Sequence, residues 1–488
     1  MKMKKLHINN IENELGIVRR HVGRCCWFDG LYFDSRKLKG DAVFVAIRGT
    51  RVDGHDFIHN AVTKGAKLVV CEMLPSTPEP DVHYFQVNDP ASALASLASL
   101  FYGKPSQHIR LVGITGTNGK TTTATLLYNT FENLGFKAGL LSTVRNYIHT
   151  SEIAATHTTP DPVQINALLA EMVEHGCEYC FMEVSSHAVE QKRVDALDFD
   201  GAVFTNITHD HLDYHKTFSN YIQAKKAFFD VLSADAFALF NSDDKNAGVM
   251  AQNTKASKKT FSIRNSSDFR VRIEEKHFEG MQLFINDKEA WTQLIGTYNA
   301  YNLLAVYAVT VLLGIPEEEA LKAITELKPV EGRLEAIRSA DGKTAVVDYA
   351  HTPDALENVL TTLSEFKKEG RQLICVFGAG GDRDTTKRPE MGRIAALYCN
   401  KLVVTSDNPR SEDPEKIMED IQTGIPHDQQ TDVLKISNRK EAIKVAWTLA
   451  KPGDLVLIAG KGHETYQEIQ GVKHHFDDRE VIYELIKN

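Results

Sequence analysis

The chain has no basic excess. Its 488 residues carry 56 Lys and Arg against 65 Asp and Glu, a formal net charge of −9. A nucleic-acid footprint or a basic membrane-surface patch would show the opposite imbalance, so neither partner is expected. No apolar run approaches the roughly 20 residues a membrane span needs. The start, Met1-Lys2-Met3-Lys4-Lys5, is basic, but the apolar stretch of a secretory leader does not follow. A cytoplasmic location is expected. Cysteine is sparse and scattered. Cys25, Cys26, Cys71, Cys177, Cys180, Cys375 and Cys399 are odd in number and show no disulfide framework. Cys177 and Cys180 have redox spacing, but Cys180-Phe181-Met182 reads as buried strand. Repeats and low-complexity tracts are also missing.

What is present is ordinary globular usage, 25% charged and 42% hydrophobic. The length suggests about three domains. Two stretches look like junctions, Tyr102-Gly103-Lys104-Pro105-Ser106 and Lys328-Pro329-Val330-Glu331-Gly332. The fold class expected is α/β throughout. Residues 1–105 read as a small N-terminal α/β domain, with short strands near 43–46 and 68–71. Residues 106–331 read as a central P-loop-type parallel-sheet domain. There a strand at 109–114 runs into a Gly-rich turn and a helix over about 121–134, stopped by Gly135. Apolar runs at 138–141, 179–182, 203–204 and 237–240 have the look of buried parallel strands. The period shifts toward two around 259–295, which suggests a small antiparallel patch. Residues 332–488 alternate strand and helix, as in a Rossmann-like doubly wound domain. Such sheets bind ligands at the carboxyl ends of their strands, where the motifs fall.

The sharpest motif is Gly113-Ile114-Thr115-Gly116-Thr117-Asn118-Gly119-Lys120-Thr121, between a strand and a helix. Backbone N–H groups and a helix N-terminus suit phosphate there. Lys120 would reach the outer phosphates and the Thr121 hydroxyl would ligate Mg²⁺. The common pattern wants glycine where Ile114 stands. Downstream, Glu183 ends an apolar strand, where a Mg²⁺-ligating acid belongs. The run His209-Asp210-His211-Leu212-Asp213-Tyr214-His215 is dense in metal-binding types. Oxygen donors suit Mg²⁺ and imidazole clusters suit zinc, so a binuclear zinc hydrolase competes. The P-loop favours Mg²⁺, with His211 a direct ligand and His209 and His215 open.

Together these residues resemble the Mur ligase family, the ATP-dependent amide-forming enzymes of bacterial cell-wall synthesis. The likeness runs from Gly116–Thr121 through Glu183, Asn206-x-x-x-Asp210-His211-x-Asp213 and Gly296-x-x-Asn299-x-x-Asn302. It continues through Glu331-Gly332-Arg333 and Asp348-Tyr349-Ala350-His351. At the ends, Asp34-Ser35-Arg36, Asp53–Phe57, Gly381–Asp384, Asp407-Asn408-Pro409-Arg410 and Gly460–Glu464 look like the members that add a third amino acid to a UDP-linked dipeptide.

The resemblance implies phosphorylation of a glutamyl γ-carboxylate by ATP, then attack by an amine. It implies that Gly116, Thr117, Asn118, Gly119, Lys120, Thr121, Thr122, Asn302, Arg333 and Asp348 hold ATP. Thr121, Glu183 and His211 would hold Mg²⁺. Lys120, Lys225, His211 and Arg333 would serve the chemistry, Lys225 as N6-carboxylysine, while Lys226 is left as ordinary surface. Ser35, Thr158, Thr159, Ser185, Gln191 and Arg193 would bind UDP-N-acetylmuramoyl-L-alanyl-D-glutamate. Arg383, Asp407, Asn408, Arg410, Gly460 and Glu464 would bind the amino acid. Diaminopimelate exceeds lysine by one far carboxylate, which Arg410 could grip bidentately, while Glu464 could take an ammonium. Meso-2,6-diaminopimelate is therefore expected over lysine. The partners expected are these small molecules alone, on a monomer. A nucleotide switch without ligase chemistry would leave the carboxy-terminal motifs and Lys225 unexplained.

Overall fold

The computed structural model describes residues 5–49, 52–155, 157–427 and 433–487. Its backbone forms three α/β domains in chain order, each around its own sheet. The first sheet has five strands, ordered Ile17–His21, His83–Val87, Ala66–Cys71, Ala42–Val45 and Gly30–Tyr32, with only the first antiparallel. The helix Pro90–Phe101 covers one face. Its start is set by Asp89, whose side chain accepts from the N–H groups of Ala91 and Ser92, and by Pro90 in the first turn. Leu94, Leu97 and Ala98 then pack on Val43 and Phe85.

The second sheet has eleven strands. Its middle is parallel: Ala138–Leu141, Tyr179–Glu183, Arg110–Thr115, Gly201–Phe204, Phe237–Asn241 and Ser257–Ser262. All but Ser257–Ser262, which is polar and half exposed, are apolar runs because helices cover both faces, so neither side chain direction meets water. The chain leaves Arg110–Thr115 toward one edge, returns beside it at Tyr179–Glu183, and crosses to the other side at Gly201–Phe204. That reversal opens a crevice at the strands' carboxyl ends.

The expected antiparallel patch at 259–295 is narrower than its pattern suggested. Ser257–Ser262 is parallel to its neighbours, and antiparallel pairing begins only between Phe269–His277 and Gly280–Ile285. Alternation marks one wet face and does not report strand direction. A hairpin of Arg145–Ile148 with Ser151–Ala154 caps the opposite edge, where the short polar run gave no strand signal.

The third sheet runs Glu335–Arg338, Thr344–Asp348, Leu455–Ala459, Leu373–Phe377, Lys401–Val404 and Val433–Lys435, parallel except for the first. A separate hairpin, Tyr466–Ile469 with Val472–His475, lies beside it. Among the described residues no helix is long and apolar enough to cross a membrane.

Candidate active site

The strand Arg110–Thr115 delivers the phosphate loop. Ile114 does not break it, because that residue is still inside the strand, fully buried and paired with Glu183 and Val203. The loop proper starts at Gly116, whose φ of 152° lets its backbone lie against Thr205. Gly119, at φ 85°, presses on the Asn302 amide; a Cβ there would sit 2.6 Å from Asn302 Oδ1. The strand end Gly201–Phe204 supplies the pins. Thr205 Oγ1 donates to the Asn118 carbonyl at 2.7 Å, and Asn206 Oδ1 accepts from the Asn118 N–H at 2.9 Å. Lys120 opens the helix Lys120–Asn133 and donates to the carbonyls of Gly116 and Thr117 at 2.9 and 2.8 Å. Burial pushes its pKa down, with Glu183 and Asp210 opposing.

Two cavities meet at this loop. One, of 320 Å³, lies between the central and C-terminal domains and is lined by Asn118, Gly119, Thr122, Tyr298, Asn302 and Asp348 among others. The other, of 440 Å³, carries Lys120, Thr121, Glu183 and His211 at one end and Arg383, Asp407, Asn408, Arg410, Gly460 and Glu464 at the other. Asn118, Gly119, Thr122 and Arg333 line both. The Arg333 guanidinium lies 4.6 Å from the Tyr349 ring centroid, and its buried Nε has no hydrogen-bond partner among the described residues. Asp348 accepts from the N–H groups of Leu334 and Ala350 at 2.7 and 2.8 Å. Burial raises its pKa and Arg333 draws it back.

The donor set beside the loop suits a hard cation. Glu183 is buried; one oxygen accepts from the Thr143 N–H at 2.8 Å, and the other, Oε2, has no partner among the described residues. An orphan carboxylate oxygen under a phosphate loop, near the buried Thr121 hydroxyl, fits Mg²⁺. His211 is held neutral by burial, against the pull of Asp210, and neutral imidazole can ligate. The other histidines of that run turn elsewhere. His209 reaches Asp384 of the C-terminal domain at 3.3 Å, while buried His215 meets Glu190 and Ser186. The run therefore does not converge into a two-metal site, and no group of three or more His, Cys, Asp or Glu among the described residues could hold a metal ion.

Lys225 is almost fully buried on the helix Phe218–Asp230, its Nζ donating to the Gly116 carbonyl at 2.7 Å. Burial, reinforced by Lys120, drives its pKa well below the usual lysine value. Lys226 is not the ordinary surface residue expected: it is 3% exposed and pairs with Asp230 one turn on at 2.6 Å. Its neighbours, invisible in the sequence, cover the stem.

Thr158, Thr159, Ser185 and Arg193 line the larger cavity. Thr159 Oγ1 donates to the Glu183 carbonyl and accepts from the Ser185 N–H, and Arg193 donates to the Thr159 carbonyl at 2.8 Å. The turn His157–Asp161 is thus tied to the strand end that carries Glu183. Gln191 stands behind the wall, accepting from Arg193. Ser35 sits in the N-terminal domain, where its carbonyl accepts from Lys64, and is not among the residues lining the cavity.

At the far end, Arg410 takes a left-handed φ of 51° and donates to the Gly381 carbonyl at 2.7 Å. The hairpin strand Tyr466–Ile469 clips this loop: Gln467 donates to the Asp407 carbonyl and the Glu468 N–H to Asn408 Oδ1. Asn408 in turn donates to Glu464 at 2.8 Å, and Gly460 packs on the Asp407 carboxylate. Sequence reasoning missed Lys461, Tyr349, His187 and His463. All stood in quoted motifs or beside them, but what packs over them comes largely from other segments.

Three α/β domains around a phosphate loop, with a cleft shared by the second and third, define a class of nucleotide-loop enzymes. Within it, the profile of the Mur ligase family catalytic domain matches residues 28–102, that of the Mur ligase middle domain residues 114–310, and that of the Mur ligase glutamate ligase domain residues 332–462. The chain is 53% identical to the UDP-N-acetylmuramoyl-L-alanyl-D-glutamate–2,6-diaminopimelate ligase of Phocaeicola vulgatus, over 94% of this chain and 95% of that one. The protein of the same name from Clostridium botulinum is 41% identical over 93% and 94%. A solved structure of a ligase of that name superposes with a TM-score of 0.69 at 31% identity, covering 99% of each chain. The chain belongs to the Mur ligase family.

Proposed function

We propose that the chain is an ATP-dependent ligase that joins meso-2,6-diaminopimelate to the γ-carboxylate of UDP-N-acetylmuramoyl-L-alanyl-D-glutamate, at the cytoplasmic stage of peptidoglycan synthesis. One observation carries the reading: a single cleft runs from the phosphate loop to Arg410, Asn408 and Glu464. Phosphate transfer and amine attack need such a shared space.

The smaller cavity would take the nucleoside of ATP against Asn302 and Asp348, leaving the phosphates at Gly116–Thr122. Thr121, Glu183 and His211 would hold Mg²⁺, which would offset phosphate charge when bound. Lys120 and Arg333 lie where the charges of phosphate and carboxylate converge. Fixed cations there stabilise the transferring group without reorganising. Transfer to the γ-carboxylate gives an acyl phosphate and ADP. The amine attacks its carbonyl carbon, loses a proton, and phosphate departs. Thr158, Thr159, Ser185 and Arg193 would hold the acyl side, with Gln191 steadying Arg193 and Ser35 meeting the uridine end. Arg410 would grip the far carboxylate of the amino acid. Lys225, buried and with its pKa pushed down, is suited to add carbon dioxide as the free amine and release one proton, which would leave an anion at that position.

Phosphate release tests the proposal. Release is expected only when ATP, the UDP-dipeptide and diaminopimelate are all present. Release without the amino acid, or none at all, would contradict it.

A further inference from the structure

We propose that Lys461 is a positioning residue that makes this end of the cleft selective for an amino acid whose far end carries both an ammonium and a carboxylate. The inference rests on the ligase reading and names what sets its specificity.

Lys461 is fully buried, in the loop that follows strand Leu455–Ala459. Burying an ammonium is costly unless it is paired, so its partners show what it is for. Its Nζ donates to Glu464 at 3.0 Å and to Asn408 Oδ1 at 3.2 Å. Two consequences follow. Asn408 Oδ1 already accepts from the Glu468 N–H at 2.9 Å, so with Lys461 added its amide can face Glu464 only with the nitrogen. Asn408 and Lys461 also donate to the same Glu464 oxygen, Oε2. The other oxygen, Oε1, has no hydrogen-bond partner among the described residues and is left for a ligand.

The charges match as well. Lys461 offsets Glu464, and Glu468 stands 3.4 Å from Arg410 Nε. Asp407 and Arg383, which also line this end, are of opposite sign. A ligand end bearing only an ammonium meets a site already in balance and must shed its hydration without a net attraction. An end bearing both charges brings its own balance, carboxylate toward Arg410 and ammonium toward Glu464 Oε1. Without Lys461, Glu464 loses its nearest cation and would welcome an ammonium alone.

The test measures kcat and KM for diaminopimelate and for lysine with Lys461→Met, which keeps the stem and removes the charge, and with Lys461→Arg, which keeps the charge. The ratio of kcat/KM for the two amino acids is expected to fall about tenfold or more in Lys461→Met, through KM, and to be retained in Lys461→Arg. The KM for ATP should not move. Equal losses for both amino acids would overturn the proposal. The wild-type protein gives a second test that needs no folded variant. 2-Aminopimelate keeps the far carboxylate and lacks the far amine. It is expected to compete about tenfold or more weakly than diaminopimelate, and equal competition would overturn the pairing. Wild-type protein that releases no phosphate with diaminopimelate would instead contradict the ligase reading itself.

Discussion

Lys225 and Arg410 are both costly placements. Lys225 buries its amine against the Gly116 carbonyl and the Tyr221 ring, and burial drives its pKa well below the usual lysine value. A neutral amine attacks carbon dioxide, whereas an ammonium does not. Activity is therefore expected to drop in buffer stripped of carbon dioxide and to return with bicarbonate, and Lys225→Met should lose most activity and the response. An unchanged rate in stripped buffer would remove the carbamate from the account. Arg410 adopts a backbone that branched and bulky residues avoid, and its planar fork suits a carboxylate. Arg410→Lys should raise the KM for diaminopimelate about tenfold or more while leaving the KM for ATP alone. The phosphate loop and the motif at Arg410 were legible in the sequence because their chemistry is local. Lys461 and Lys226 were not: Glu464 and Asp230 lie only three and four residues on, but the sequence does not show which lysines other segments bury.

At the scale of elements, the loop Gly116–Gly119 is held from outside. Strand Gly201–Phe204 ends in Thr205 and Asn206, whose side chains fix the Asn118 peptide. Gly119→Ala would place a methyl against the Asn302 amide at a φ that alanine resists. Such overpacking costs about 1–3 kcal/mol. The expected outcome is a raised KM for ATP and a lower melting temperature, with the amino-acid KM unchanged; normal ATP binding would contradict the placement. Buried parallel strands were readable as apolar runs. The edge hairpins Arg145–Ala154 and Tyr466–His475 were not, because short, half-wet strands have weak patterns. The second of these clips the Asp407–Arg410 loop.

For the whole molecule, the central and C-terminal domains are joined across the cleft. Asn118 meets Asp354, His209 meets Asp384, Lys276 meets Glu365, and Glu331 bridges Arg145 and Arg479. Half-buried histidines line this seam. Burial holds the pKa of His351 down at about 4, with Lys387 adding to it and Asp210 opposing; burial with Arg333 and Arg479 holds His463 at about 3. Unfolded histidine titrates near 6.5, so both contribute fully above that pH. As pH falls from about 6.5 toward 4, the unfolded chain takes protons that the folded chain refuses, and stability is lost. The melting temperature is expected to fall between about pH 7.5 and 5, and to fall less in His351→Asn. An equal drop in the variant would clear His351 of the effect.

The three-domain α/β plan was readable from strand and helix alternation, but the meeting of the two ligand ends in one cleft was not. Product analysis tests that meeting. Incubate the protein with ATP, UDP-N-acetylmuramoyl-L-alanyl-D-glutamate and equal amounts of diaminopimelate and lysine, and weigh the product. The diaminopimelate tripeptide is expected to dominate. A lysine product, or none, would contradict it.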